Sequence, residues 1–132
     1  MSAASIEIER TKVLVVDDSD DQRDLLSRYL ERAGCDVVSV GSAEDAIIAY
    51  ELSNPDLAFI DLVLPGMTGW ALAERLRADM PLCAIAITSV LDAADYPAAQ
   101  AILPKPFTRA EVRRVLRDTQ PRDIPLNGSD SE

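Results

Sequence analysis

Val13-Leu14-Val15-Val16-Asp17-Asp18 is an unbroken apolar run, mostly β-branched, closed by two acids. A strand with one wet face alternates polar and apolar side chains, whereas a strand buried on both faces, as in a parallel sheet, is apolar throughout. The pattern returns at Leu57-Ala58-Phe59-Ile60, ended by Asp61, and from Ala84 to Ile87, ended by Thr88. Val37 to Val40 and the short Ala101-Ile102-Leu103, just before Lys105, bring the strands to five.

Helical signals separate them. Ser19 or an adjacent Asp can cap a helix whose Leu25, Leu26, Tyr29, Leu30 and Ala33 recur at helical spacing, with Gly34 where a C-terminal cap is wanted. Ser42-Ala43-Glu44-Asp45 resembles a capping box with Asp in the third place. The helix it opens carries Ala46, Ile47, Ala49 and Tyr50, and Asn54-Pro55 breaks it. Pro65-Gly66 marks a loop, followed by a helix from about Thr68 to Ala78 with Trp70, Leu72, Ala73 and Leu76 on its apolar side. Thr108-Arg109-Ala110-Glu111 is a full capping box, and the last helix buries Val112, Val115 and Leu116.

Strands alternating with helices imply βαβ units, right-handed crossovers and a parallel central sheet. Five of them suggest an α/β, flavodoxin-like doubly wound domain with helices on both faces, in which ligands sit outside the carboxyl ends of the strands. Those ends hold Asp17, Asp18, Asp61, Thr88 and Lys105.

The composition sets bounds. A chain of 132 residues is one domain's worth, and 48% hydrophobic residues is too apolar for disorder. With 23 acidic and 13 basic residues the net charge is −10, which argues against direct contact with nucleic acid or anionic lipid. There is no histidine, so a histidine-based metal or catalytic site is excluded. Cys35 and Cys83 form no CxxC pattern and read as small buried hydrophobes rather than a disulfide. No apolar run is long enough to span a bilayer, and Met1 to Arg10 lacks an apolar signal-peptide core; a cytoplasmic setting is expected.

Three carboxylates gathered on one edge repel one another, by roughly 4 kcal/mol per pair at about 4 Å and an effective dielectric of about 20. A hard divalent cation relieves this, and two or three carboxylates that leave room for water suit Mg²⁺. Such a cation and Lys105 would together neutralise a phosphoryl group, and a carboxylate can itself be the nucleophile. Asp61, after the central strand, is the best candidate. Singly, the Asp17-Asp18 pair would more often be turn acids, Thr88 a strand end and Lys105 a surface lysine; their order together raises the sharper reading. An EF-hand starting at Asp18 fails because Arg23 stands where glycine is required. A flavin-phosphate site fails because Asp17 and Asp18 would repel it.

These residues resemble the receiver domains of two-component response regulators, the bacterial chemotaxis regulator among them. The resemblance runs from about Lys12 to Asp118. It rests on Val15-Val16-Asp17-Asp18, the block from Asp61 through Pro65-Gly66 to Gly69, Thr88-Ser89 and Lys105-Pro106-Phe107. A receiver domain is expected over residues 11–119, with a flexible segment over 1–10 and, from its polar Pro, Gly and Ser content, a disordered tail or linker over 120–132. The resemblance implies that Asp61 takes a phosphoryl group from a sensor histidine kinase or phosphotransfer protein and that a downstream effector protein is contacted. Mg²⁺ would be bound by Asp18, Asp61 and the carbonyl of Val63, with Asp17 acting through water. Thr88 would hydrogen-bond the phosphoryl group, Lys105 would pair with it, Ser89 would leave it room, and the Lys105-Pro106 peptide would be cis.

The chain departs from the family pattern in three places. Ile102 replaces the aromatic usual three residues before the lysine. The stretch from Thr88 to Lys105 is short, so the fourth helix is expected to be shortened or replaced by a loop. Val63 and Val90 flank the path of an attacking water and cannot orient it, so slow loss of the phosphoryl group is expected. The first two departures keep open a pseudo-receiver that binds partners without phosphorylation. A hydrolase using Asp61 lacks a separate general base.

Overall fold

The computed structural model describes residues 10–90 and 98–119. In chain order the elements are β1 (Lys12–Val16), α1 (Asp20–Arg32), β2 (Asp36–Val40), α2 (Ala43–Ser53), β3 (Leu57–Asp61), α3 (Gly69–Asp79), β4 (Ala84–Ser89), β5 (Ala101–Pro104) and α4 (Arg109–Thr119). All five strands pair in parallel in the order β2-β1-β3-β4-β5, the doubly wound α/β arrangement implied by the alternation.

The continuous apolar runs are explained by two cores, one on each face. Side chains alternate across a strand, so Leu14 and Val16 of β1, with Ala58 and Ile60 of β3, join α2 and α3. Val13 and Val15, with Leu57 and Phe59, join α1 and α4 on the other face. Helix spacing supplies the matching stripes: Leu26 and Leu30 from α1, Ala46 and Tyr50 from α2, Leu72, Ala73 and Leu76 from α3, and Val112, Val115 and Leu116 from α4 are all buried.

Side-chain caps start the helices at the expected residues. Ser19 Oγ accepts the Gln22 N–H at 3.3 Å, Ser42 Oγ that of Asp45 at 3.1 Å and Thr68 Oγ1 that of Ala71 at 3.2 Å. The Thr108–Glu111 box is reciprocal: Thr108 N–H donates to Glu111 Oε1 at 2.8 Å, and Glu111 N–H to Thr108 Oγ1 at 3.2 Å. Gly34, just past α1, takes φ +96°, a left-handed conformation that favours glycine.

Strand register aligns the functional rim. Val16 lies level with Val40 and Ile60, Asp61 with Thr88, and Thr88 with Leu103. Between β4 and β5 no helix occurs among the described residues. The expectation of a shortened fourth helix or loop falls mainly on residues 91–97, which lie outside the described residues, as do 1–9 and 120–132. The described end of that connection is tied down. Gln100 N–H donates to the Ile85 carbonyl at 2.9 Å, Gln100 Oε1 accepts the Ile85 N–H at 2.7 Å, and Arg77 of α3 donates to the Ala98 carbonyl.

Cys35 and Cys83 are buried free thiols, as expected. Burial, with Asp56 adding to it, pushes Cys83 up to about 12, so it stays protonated and inert. No described helix is long and apolar enough to cross a membrane.

Phe59 is fully buried in the central strand. Phe59→Ala is expected to lower unfolding free energy by about 3–5 kcal/mol, measured by urea denaturation, with the slope retained.

Candidate functional site

From β1 the chain passes to β2 on one side of the sheet, then returns to β3 on the other. The loops leaving β1 and β3 therefore diverge and open a crevice at the strand ends. Asp17 and Asp61 stand in it, only 2% and 5% exposed, with Asp18 exposed beside them. One carboxylate oxygen from each of the three lies within 4.8 Å of the others.

Lys105, delivered by the loop after β5, sits between two of them. Its Nζ is 2.7 Å from Asp17 Oδ2 and 2.9 Å from Asp61 Oδ2. The remaining oxygens are held by backbone: Asp17 Oδ1 accepts the Ser19 N–H at 2.9 Å, and Asp61 Oδ1 the Val63 N–H at 3.0 Å. Lys105 N–H donates to the Ser89 carbonyl at 3.1 Å, and the Lys105-Pro106 peptide is cis as expected.

Burial pushes the Asp61 carboxyl above its ordinary value, against the opposing pull of Lys105 and the Val63 N–H. For Lys105, burial disfavours the ammonium, but Asp17 and Asp61 outweigh it and hold the group above its ordinary value. The lysine thus stays charged and partly offsets the crowded acids.

Thr88 pairs in register with Asp61 and is 1% exposed, yet its Oγ1 has no hydrogen-bond partner among the described residues. A buried hydroxyl left unsatisfied costs about 1–3 kcal/mol, so a ligand oxygen arriving beside Asp61 would find a donor waiting. The same residues fit a magnesium ion. An all-oxygen set of three carboxylates is the chemistry that hard cation takes. The sequence-derived candidates Asp17, Asp18, Asp61, Thr88 and Lys105 thus meet at one rim. Val63 and Val90 are exposed, and Ile102 is only 39% exposed on the outer strand.

Two contributors were not assigned roles from the sequence. A Cβ at Gly69 would lie 2.2 Å from the Asp61 carbonyl oxygen and 2.6 Å from Leu62 Cα. Only glycine lets α3 start hard against the end of β3, where Gly69 N–H donates to the Leu62 carbonyl at 3.1 Å. A glycine at the first helical position, a poor helix former, was the available signal. Arg23 donates to the Asp17 carbonyl at 2.8 Å; its spacing three residues after Asp20 hinted at a helical ion pair, not at this contact.

A family model marks this doubly wound domain, with its lysine-bridged acidic pocket at the switch point, as a phosphoacceptor signalling module rather than a conventional enzyme. The chain belongs to the response regulator receiver domain family, whose model matches residues 13–117. It is similar to a probable transcriptional regulator, ycf27, of Cyanophora paradoxa, at 29% identity over 96% of this chain and 57% of the relative. It is also similar to the DNA-binding response regulator MtrA of Mycobacterium tuberculosis, at 32% identity over 87% of this chain and 55% of the relative. The chain therefore spans little more than half the length of these curated relatives. Among solved structures, a CheY-like receiver domain from Methylobacillus flagellatus superposes with a TM-score of 0.76 at 27% identity, covering 85% of this chain and 100% of that one. The chemotaxis regulator CheY4 of Vibrio cholerae shares the fold with a TM-score of 0.78 at 23% identity, covering 85% and 100%. The acidic triad is of the type receivers use for Mg²⁺.

The raised value of Asp61 has a definite sign for stability. The native state holds this proton more tightly than the unfolded chain does, so the contribution is fully present below the ordinary carboxylate value. It is lost as pH rises through the folded value. In metal-free buffer Asp61→Asn is therefore expected to gain stability relative to wild type as pH rises from 3 to 7. Paired urea melts across that range check it; a gap that shrinks with pH contradicts it.

Proposed function

We propose that Asp61 accepts a phosphoryl group from a phosphohistidine on a sensor histidine kinase or histidine phosphotransfer protein, with Mg²⁺ as cofactor. The loaded domain then signals through contacts with a downstream effector protein. The single observation behind this reading is the Lys105 ammonium bridging Asp17 and Asp61 beside an unsatisfied Thr88 hydroxyl.

An Asp61 carboxylate oxygen attacks phosphorus, the P–N bond breaks, and its electron pair leaves with the imidazole, giving an acyl phosphate. Asp18, Asp61 and the Val63 carbonyl would hold Mg²⁺, with Asp17 acting through water, and the ion would supply positive charge to the transferring oxygens. Lys105 exchanges its Asp61 contact for a phosphoryl oxygen while keeping Asp17. Thr88 donates its O–H to another of those oxygens. Ser89, small and buried, leaves room for the group.

The functional unit is residues 11–119, working in the cytoplasm where the kinase domain would be. The relatives named as transcriptional or DNA-binding regulators extend well beyond the matched length. The charge of −10 on these residues offers little to a phosphate backbone, which favours protein contacts for this domain. The pseudo-receiver alternative draws on Ile102 and on the short stretch from Thr88 to Lys105. A complete acid–lysine–hydroxyl set weighs against it.

Incubation with Mg²⁺ and acetyl phosphate, followed by intact mass, is expected to show one added phosphoryl group on wild type. Asp61→Ala should show none; phosphorylation of that variant, or none of wild type, sinks the assignment.

Val63 and Val90, 54% and 74% exposed, offer no polar group to a water approaching Asp61. Once the donor is removed, the acyl phosphate is expected to outlast that of Val63→Asn several-fold. Equal decay would show that these side chains do not set the lifetime.

A further inference from the structure

Of the three rim acids, Asp18 has the least to hold it. Asp17 and Asp61 each place one oxygen on a main-chain N–H and the other on Lys105. Asp18 is exposed, and its carboxylate has no hydrogen-bond partner among the described residues. Its position is therefore set by the backbone, and at that point the backbone is gripped from both sides.

Arg23, one turn into α1, donates from Nη1 to the Asp17 carbonyl at 2.8 Å. That oxygen belongs to the peptide joining Asp17 to Asp18. On the opposite side the Asp17 N–H donates to the Val40 carbonyl at the end of β2, at 3.2 Å. The guanidinium's other arm, Nη2, lies 2.5 Å from Asp20 Oδ1. A bare cation so near the acids would work against a second one. With Asp20 offsetting its charge, Arg23 acts as a directional donor instead. A Cβ at Gly41 would come within 3.3 Å of Nη1, close enough that the guanidinium would have to give way slightly.

We infer that Arg23, with Asp20 as counter-ion, is a positioning residue for the magnesium pocket: it fixes the Asp17–Asp18 peptide and so pre-aims the Asp18 carboxylate. The inference rests on the Mg²⁺ reading proposed above. Groups that orient metal ligands commonly account for about 10–100-fold in metal affinity. Without the clamp, Asp18 must be ordered at the moment of binding, and that entropy is charged against affinity.

Calorimetric Mg²⁺ titrations of the whole chain test it, with metal-free urea melts run alongside. Arg23→Ala should bind Mg²⁺ at least about 10-fold more weakly than wild type. The Mg²⁺ midpoint for acetyl phosphate labelling should rise by the same factor while the rate at saturating Mg²⁺ is kept. Arg23→Lys retains one donor for the Asp17 carbonyl and should recover most of the affinity. Gly41→Val, which crowds the guanidinium without altering any charge, should weaken binding in the same direction. Arg23→Ala affinity within about two-fold of wild type overturns the inference, as does a fall in the saturated rate with an unmoved midpoint. If Arg23→Ala does not fold, Gly41→Val decides, and unchanged affinity there overturns it. Absence of Mg²⁺ binding by wild type would instead sink the magnesium reading itself, and the clamp with it.

Discussion

Everything at the rim answers to one constraint: two buried carboxylates, Asp17 and Asp61, must stand close together without driving each other apart. The Lys105 ammonium resolves it by lying within 2.9 Å of both. Taking one partner from a buried ion pair leaves an uncompensated charge, typically at a cost of about 3–5 kcal/mol. Here the lysine has two acids to satisfy, so its loss would expose a like-charge pair as well. The parallel register that levels Asp61 with Thr88, and the loop that brings Lys105 back to the Ser89 carbonyl, both serve this triad. Because one ammonium cannot neutralise three carboxylates, the pocket retains negative charge for a second cation.

Much of this was legible in the sequence because the signals were strong and local. Unbroken apolar runs such as Leu57 to Ile60 have one economical explanation, burial on both faces, and that implies a parallel sheet. Chain order then sends the strand-ending acids to the same side. The caps at Ser19, Ser42 and Thr108 were readable because each makes its bond within three residues. Contacts that depend on how distant segments approach were not legible. Gly69 is required by the Asp61 carbonyl, eight residues earlier across a loop; a glycine opening a helix hints at a close approach but not at which atom it meets. The bond from Arg23 to the Asp17 carbonyl appears only once α1 has been folded back beside β1. The Gln100 side chain pairing with Ile85 is likewise a product of tertiary approach. The character of the β4–β5 connection, inferred from its brevity, lies over 91–97 and outside the described residues.

Thr88 and Ile102 bear on how an event at Asp61 can spread. The Thr88 hydroxyl is buried without a partner among the described residues, so the resting domain carries an unsatisfied donor beside the acceptor. Satisfying it favours any rearrangement that brings it to a new oxygen. In β5, Ile102 has no polar end with which to follow that movement. The strands themselves connect the site to its neighbours, since Thr88 pairs in register with both Asp61 and Leu103.

The seat of Gly69 has an optical corollary. The neighbouring residue is Trp70, the chain's single tryptophan, packed partly buried against the α2–α3 core. Since α3 begins in direct apposition to the Asp61 carbonyl, the indole stands one residue beyond that contact, at the start of the helix that abuts the end of β3. The domain thus carries one intrinsic indole fluorophore, set at the start of the helix that meets the Asp61 backbone.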